Sequence, residues 1–220
     1  LNRVEQQLDY PVVVKPANLG SSIGVNIARD RDALVFALDV AAKYDRRLLV
    51  EKAVVSIKEV NCSVMGTPTD ARVSAIEEPI SSGALLGFED KYLRSEGGSK
   101  GMKSLSRKIP AEISDEMADK VRQLSLDIFK ALDLKGVVRI DYIIDTAEDK
   151  LYVNEVNTIP GSFAFYLWEP VGVSFTDLVD CLVAIAEKQM REKKASEFAF
   201  DSTVLQKVAS GLKIGTKTSK

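Results

Sequence analysis

Arg139-Ile-Asp141 and, past a polar turn, Asn154-Glu155-Val-Asn157 carry a guanidinium, two carboxylates and amides at alternating positions of two apolar runs. Successive side chains of an extended chain point to opposite faces, so Arg139 shares a face with Asp141, and Glu155 shares one with Asn157. A hairpin centred on Glu148 sets Asp141 opposite Glu155 and Arg139 opposite Asn157, with Cβ atoms about 5 Å apart. Facing carboxylates repel or share a proton unless a cation lies between them, and Asp, Glu and an Asn carbonyl are hard oxygen ligands suited to magnesium. The pattern predicts a divalent-metal site of Asp141, Glu155 and Asn157. The alternative is a solvated polar face on an edge hairpin, with Arg139 neutralising the acids.

A second group suits an anion. In Lys15-Pro-Ala-Asn-Leu-Gly20-Ser21-Ser22-Ile-Gly24, glycines and serines can present backbone N–H groups and hydroxyls to a phosphate without Cβ obstruction. It is not a Walker A loop, because no Gly-Lys-Ser/Thr occurs and the segment leads into a strand; an ordinary hairpin turn reads the same residues equally well. Lys15 at a strand end and Lys91 beside Tyr92 are point cations able to reach a phosphate, or ordinary surface lysines. Glu51-Lys52-Ala53-Val54 ends a strand where exposed backbone groups can meet an adenine edge, and Glu59 can accept ribose hydroxyls; solvated glutamates give the same pattern.

Composition bounds the rest. The chain has 220 residues, 45% of them hydrophobic, enough for one large domain or two small lobes. A net charge of -2 gives no overall pull toward nucleic acid or an anionic membrane. The absence of histidine excludes Ser-His-Asp and Cys-His nucleophiles, imidazole bases and His-ligated zinc. Cys62 and Cys181, each among apolar residues, read as buried thiols of a reducing compartment, and no apolar run or leader suggests a membrane span or secretion; the expected location is the cytoplasm. The polar start at Leu1, in place of Met, reads as the end of a helix in a piece of a longer protein.

These residues need elements to hold them. Tyr10–Lys15 reads as a strand, 17–24 as a loop and Val25–Ala28 as a return strand. Asp30 caps a helix with Leu34, Leu38 and Ala41 on one face, and Leu48–Glu51 is a further strand. Val60, Cys62 and Val64 alternate toward a turn at Thr67–Asp70, with a partner strand from Arg72 to Glu77. Residues 81–108 lack periodicity and read as a long exposed loop, a lid over a site. Ser114 caps a helix bearing Met117, Val121, Leu124, Ile128 and Leu132, which Gly136 stops. Val137–Ile144 and Leu151–Val156 form the acidic hairpin, and Ser174 with Asp177 opens a last helix to about Lys194. The expected division is a small lobe over 1–54, a large lobe over 55–195, and a helix and tail over 196–220.

Taken in order, Val-Val-Val-Lys15-Pro, Gly20-Ser-Ser-Ile-Gly24, Leu-Val-Glu51-Lys, Asp90-Lys91-Tyr92, Arg139-Ile-Asp141 and Asn154-Glu155-Val-Asn157-Thr-Ile-Pro-Gly161 resemble the D-alanine:D-alanine ligases of the ATP-grasp superfamily. The resemblance implies an α+β ATP-grasp fold, two lobes with antiparallel sheets and flanking helices around a nucleotide cleft. It implies ATP with Mg2+ or Mn2+, and D-alanine or a related D-amino or D-hydroxy acid as substrates, in peptidoglycan precursor synthesis. No nucleic acid or membrane partner is expected, and a homodimer of the full-length protein is compatible with it. By the same resemblance Lys15, Ser22 and Lys91 contact phosphates, Glu51, Lys52, Ala53 and Val54 form the adenine strip, and Glu59 meets the ribose. Asp141, Glu155 and Asn157 hold the metal. Arg139 and the Gly161 N–H stabilise an oxyanion, and Ser21 and Tyr92 belong to a network ordering the loop. The family's N-terminal domain is missing, so this part alone is expected to bind nucleotide weakly and catalyse poorly if at all. Ser162-Phe-Ala-Phe-Tyr166-Leu167-Trp168 replaces the family's usual acceptor-binding Ser-Leu pair. That leaves two further readings: an ATP-grasp ligase with a different acceptor, or an inactive nucleotide-binding fragment.

Overall fold

The computed structural model describes residues 1–20, 22–80 and 107–195. The chain forms α1 (Asn2–Gln7), β1 (Val12–Pro16), β2 (Asn26–Ala28), α2 (Arg31–Ala42), β3 (Leu48–Lys52), β4 (Ile57–Thr67), β5 (Asp70–Pro79), β6 (Arg107–Lys108), α3 (Asp115–Ala131), β7 (Gly136–Asp145), β8 (Lys150–Asn157) and α4 (Phe175–Ala195). Two short 3₁₀ turns, Gly161–Leu167 and Glu169–Val171, join β8 to α4. Antiparallel pairing builds a three-stranded sheet in the order β2-β1-β3 and a five-stranded sheet in the order β6-β5-β4-β7-β8. Among the described residues no helix is long and apolar enough to cross a membrane.

The valines of β1 alternate between buried and half-buried, and Val12 and Val14 pack with Leu34, Ala37 and Ala41 of α2. Asp30 caps that helix, its carboxylate accepting the Ala33 N–H at 2.8 Å, as its place before the periodic run predicts.

In the larger sheet, Val60, Cys62 and Val64 of β4 and Val138, Ile140, Tyr142 and Ile144 of β7 form one apolar face, closed by α3. Burial pushes the Cys62 thiol up to about 11, as expected of an inert core cysteine. Cys181 is only half-buried, where the Arg72 guanidinium reaches its sulfur.

The buried stripe of α3 is Met117, Ala118, Val121, Ser125 and Phe129, rotated from the stripe expected through Leu124, Ile128 and Leu132. Ser125 enters it because its hydroxyl is satisfied by the Val121 carbonyl and the Tyr142 hydroxyl, while Leu132 is left exposed as the C-cap. The helix is closed by Asp133 at φ +49°; Gly136, expected to stop it, instead opens β7. The end of the expected loop also differs, since Arg107 and Lys108 pair with Pro79 and Glu78 as a short edge strand.

The opposite face is polar at its middle and apolar toward the β4–β5 turn, where Met65 and Val137 pack with Trp168 and Leu178. Trp168 is fully buried and donates through its indole N–H to Ser63 Oγ at 3.2 Å, and Ser63 in turn donates to the Val138 carbonyl at 2.8 Å. To reach it, the chain leaves Pro160 through three consecutive left-handed residues, Ser162, Phe163 and Ala164, at φ 51–56°. Such a conformation costs about 1–2 kcal/mol per L-residue, so packing and hydrogen bonds further along must hold it.

Two outcomes follow for stability. A Cβ at Gly66 would lie 2.0 Å from the Asp70 carbonyl oxygen, at φ +139°, so Gly66→Ala is expected to destabilise by more than about 1 kcal/mol in urea unfolding. Ser162 is exposed and left-handed, so Ser162→Gly is expected to stabilise by roughly 0.5–1 kcal/mol in the same measurement, relief of the left-handed cost exceeding glycine's added chain entropy.

Candidate active site on the polar face of the larger sheet

The β7–β8 register places Asp141 opposite Glu155 and Arg139 opposite Asn157, as the parity of the motifs predicts. It does so by a route the sequence reading lacked. Near the turn Asp145 pairs with Lys150 and Tyr142 with Val153, a register one residue off a hairpin centred on Glu148. A bulge between Asp141 and Tyr142, with Asn154 the extra residue of β8, restores it. Leu151 packs into the core beneath α3; without the bulge, alternation would send Glu155 to that same side. With it, Val156 joins the core and Glu155 joins Asp141.

The four side chains touch. Arg139 grips Asp141 with both arms of its fork, Nε to Oδ1 at 2.6 Å and Nη2 to Oδ2 at 2.7 Å. Asn157 Nδ2 donates to Asp141 Oδ2 at 3.0 Å and to Glu155 Oε1 at 3.2 Å, so one amide bridges both acids. Burial pushes the Asp141 carboxyl up, and the neighbouring Glu155 charge adds to this, against the pull of Arg139. Hydrogen bonds to Asp141 push the Arg139 pKa up. Among the described residues no three Cys, Asp or Glu side chains converge for a metal, so a cation here would take two carboxylates and the Asn157 amide oxygen. That donor set fits a hard divalent cation once the amide turns its oxygen inward.

The polar row continues across the sheet. Asn61 of β4 is the strand partner of both Asp141 and Glu77, so Glu77, Asn61, Asp141 and Glu155 run across four strands on one face. Glu77 is 3% exposed and accepts from Asn61 Nδ2 at 2.9 Å, the Tyr166 hydroxyl at 2.9 Å and Arg107 Nη1 at 3.3 Å. The Arg107 guanidinium lies 4.0 Å from the centre of the Tyr166 ring, and burial with the Glu77 charge pushes the Tyr166 hydroxyl up to about 12. Sequence reading did not single out Asn61, Glu77 or Arg107. Alternation along β4 could have put Asn61 and Ser63 on one polar face, but only the register reveals Glu77 beside them.

The other predicted residues fall into separate groups. Glu59 is half-buried on the same face of β4 as Asn61, and Gly161 opens the left-handed turn four residues beyond Asn157. Lys15 and Glu51, on neighbouring strands of the smaller sheet, form an ion pair at 2.6 Å. Ser22 sits in the β1–β2 connection in a left-handed conformation. Lys52 is exposed and Ala53 buried, its N–H donating to the Pro11 carbonyl at 2.9 Å. Alternation then turns the backbone of Lys52 and Val54 away from β1 toward the outer edge of β3, the last strand of the described sheet. Ser21, Lys91 and Tyr92 lie outside the described residues, as does the proposed lid loop except for its last two residues. A cavity of about 370 Å³ lined by Met65, Arg72, Cys181 and Ile185 lies toward the β4–β5 turn and contains none of the predicted site residues.

Comparison with known proteins bears on this face. The D-alanine–D-alanine ligase of Thermosipho melanesiensis is 38% identical over 204 residues, which is 93% of this chain and 53% of that protein. The solved VanG D-Ala:D-Ser ligase of Enterococcus faecalis is 27% identical, with a TM-score of 0.68 over 84% of this chain and 52% of its own. The D-alanine–D-alanine ligase of Bacillus anthracis, solved with ATP, shares the fold at 22% identity and a TM-score of 0.61, over 86% and 54% of the two chains. The chain spans about half the length of the curated relatives it matches, and its fold is the ATP-grasp fold of these ligases. The D-ala D-ala ligase C-terminus family model matches residues 1–184, and the chain belongs to that family.

Proposed function

We propose that this chain is the nucleotide-binding and catalytic part of an ATP- and magnesium-dependent carboxylate–amine ligase of the D-alanine:D-alanine type, acting in peptidoglycan precursor synthesis. The observation that carries the reading is the bulge-corrected hairpin that gathers Arg139, Asp141, Glu155 and Asn157 on one polar face. The expected division is a small lobe over 1–54 and a large lobe over 55–195, in the cytoplasm.

In the reaction a D-amino acid carboxylate oxygen attacks the γ-phosphorus of ATP, and the bond to the ADP oxygen breaks to leave an acyl phosphate. The amine of a second D-amino acid then attacks the acyl carbon, loses a proton and displaces phosphate as the amide forms. Neither step needs a covalent enzyme intermediate, which suits a chain without histidine.

Asp141, Glu155 and Asn157 are the residues that would hold magnesium, which supplies charge neutralisation for the phosphates when bound. Lys15, Ser22 and Lys91 contact phosphate oxygens, the outer-edge backbone of Lys52 and Val54 meets the adenine within the strip Glu51–Val54, and Glu59 takes the ribose. Arg139 spends Nε and Nη2 on Asp141, and its remaining Nη1 is the donor for the tetrahedral oxyanion together with the Gly161 N–H. Ser21 and Tyr92 are the network residues. The replaced Ser-Leu pair and the likeness to a D-Ala:D-Ser ligase favour one second reading, the same chemistry with a different acceptor.

In the full-length protein, Asp141→Asn and Glu155→Gln are each expected to weaken magnesium-dependent ATP binding at least about tenfold by calorimetry; unchanged affinity would contradict the metal assignment. Because the folded Asp141 carboxyl is held up by burial, protons should compete for it as pH falls from above the ordinary carboxylate range of about 4, so magnesium-dependent binding weakens with acidification and Asp141→Asn removes that component. Arg139→Lys is expected to lower kcat by about 10²–10³-fold with ATP KM little changed. Phosphate release with a panel of D-alanine, D-serine and D-lactate acceptors reads the substrate class, and no D-alanine-dependent turnover would reject the leading reading.

A further inference from the structure

We propose that Glu77 is a positioning residue for the second half-reaction: by holding Tyr166 and Arg107 it fixes the Gly161–Leu167 turn on the polar face, and with it the Gly161 N–H. The inference rests on the ligase reading above and deepens it.

The turn cannot fix itself. Three consecutive non-glycine residues in the left-handed region persist only where the surroundings over-determine them. Among the described residues, two side-chain hydrogen bonds tie the segment to the sheet. Trp168, beyond the end of the turn, reaches Ser63 on β4, and Tyr166, inside it, reaches Glu77 on β5. Phe165 adds edge-on ring contacts to Tyr166 and Phe175, but these stay within the connection and its helix.

Glu77 is also an unusual choice for packing alone. A carboxylate at 3% exposure has to recover its lost hydration from partners, and an apolar side chain would fill the same volume without that cost. Among the described residues its three partners are all donors, and they come from three different segments: Asn61 on β4, Arg107 on β6 and Tyr166 on the turn. Asn61 is the strand partner of Asp141, so the anchor of the turn belongs to the same transverse row as the acidic pair. Arg139 lies on β7, two strands from Glu77 on β5, so the anchored turn and the guanidinium belong to the same polar face.

If the tether is cut, the amine loses its fixed oxyanion partner while the first phosphoryl transfer keeps its own. Water then competes for the acyl phosphate at phosphorus, where no carbon oxyanion forms: its oxygen bonds to phosphorus, a proton is lost, and the bond between phosphorus and the acyl oxygen breaks, returning the D-amino acid carboxylate and free phosphate.

The test uses the full-length protein with Tyr166→Phe, which keeps the ring over Arg107 and removes only the hydroxyl, and with Glu77→Gln, which keeps a carbonyl acceptor for Tyr166. Phosphate released per dipeptide formed is measured beside kcat for dipeptide formation, the KM of each substrate, ATP affinity and thermal melting. For Tyr166→Phe the ratio is expected to rise at least about threefold from one, with kcat for dipeptide formation down about tenfold and acceptor KM little changed, and ATP affinity and melting close to those of the parent. Glu77→Gln should fall between parent and Tyr166→Phe. A ratio and a kcat for dipeptide formation that stay at the parent values in Tyr166→Phe overturn the proposal, and so does an equal loss of ATP affinity, melting temperature and both half-reactions. A parent protein without D-alanine-dependent phosphate release overturns the ligase reading and this inference with it.

Discussion

Asp141 and Glu155 face each other across two neighbouring strands, and like charges at that separation oppose folding unless something intervenes. What surrounds them answers that conflict. Arg139 takes Asp141 with two short hydrogen bonds, and the Asn157 amide donates to both acids at once. Burial of Asp141, beside an exposed Glu155, also pushes the Asp141 carboxyl up. A face arranged in this way presents hard oxygen donors to a cation once the Asn157 amide turns, while the Arg139 fork keeps Asp141 in place.

The rest of the larger sheet keeps that pair on one face and water off the other. Val60, Cys62 and Val64 alternate with Asn61 and Ser63, and Ile140 and Tyr142 alternate with Arg139 and Asp141, so one sheet carries core and site back to back. Helix α3 closes the apolar side, and Ser125 joins it with its hydroxyl satisfied by Tyr142. On the polar side, Trp168 and Leu178 cover the end where Met65 and Val137 lie. The candidate site lies on that face between the aromatic cap and the glutamates of β4 and β8.

The aromatic run after the Pro-Gly turn has a different role from the one its composition suggests. Leu167 and Trp168 are fully buried and serve the core, and Tyr166 is committed to Glu77 and Arg107. Phe163 remains partly exposed on the left-handed turn. The segment is thus a strap across the sheet, and its hydrogen bonds end on polar groups of β4 and β5.

The sequence by itself determined what alternation, caps and composition can specify. The valines of β1, the Asp30 and Ser114 caps, the paired motifs of β7 and β8 and the lack of histidine each follow from local residue type and spacing. It reached the correct facing of Asp141 and Glu155 by assuming one register throughout. Tertiary structure decided that this facing needs a bulge at Asn154, because the core demands Leu151 on one side of that residue and Val156 on the other. It also decided that Phe129 and Ser125 line the helix stripe, that Asp133 ends the helix, and that Glu77 meets Asn61, Arg107 and Tyr166. Those contacts join residues far apart in the chain, and their partners are chosen by register and by the demand that every buried polar group be satisfied, which no local pattern encodes.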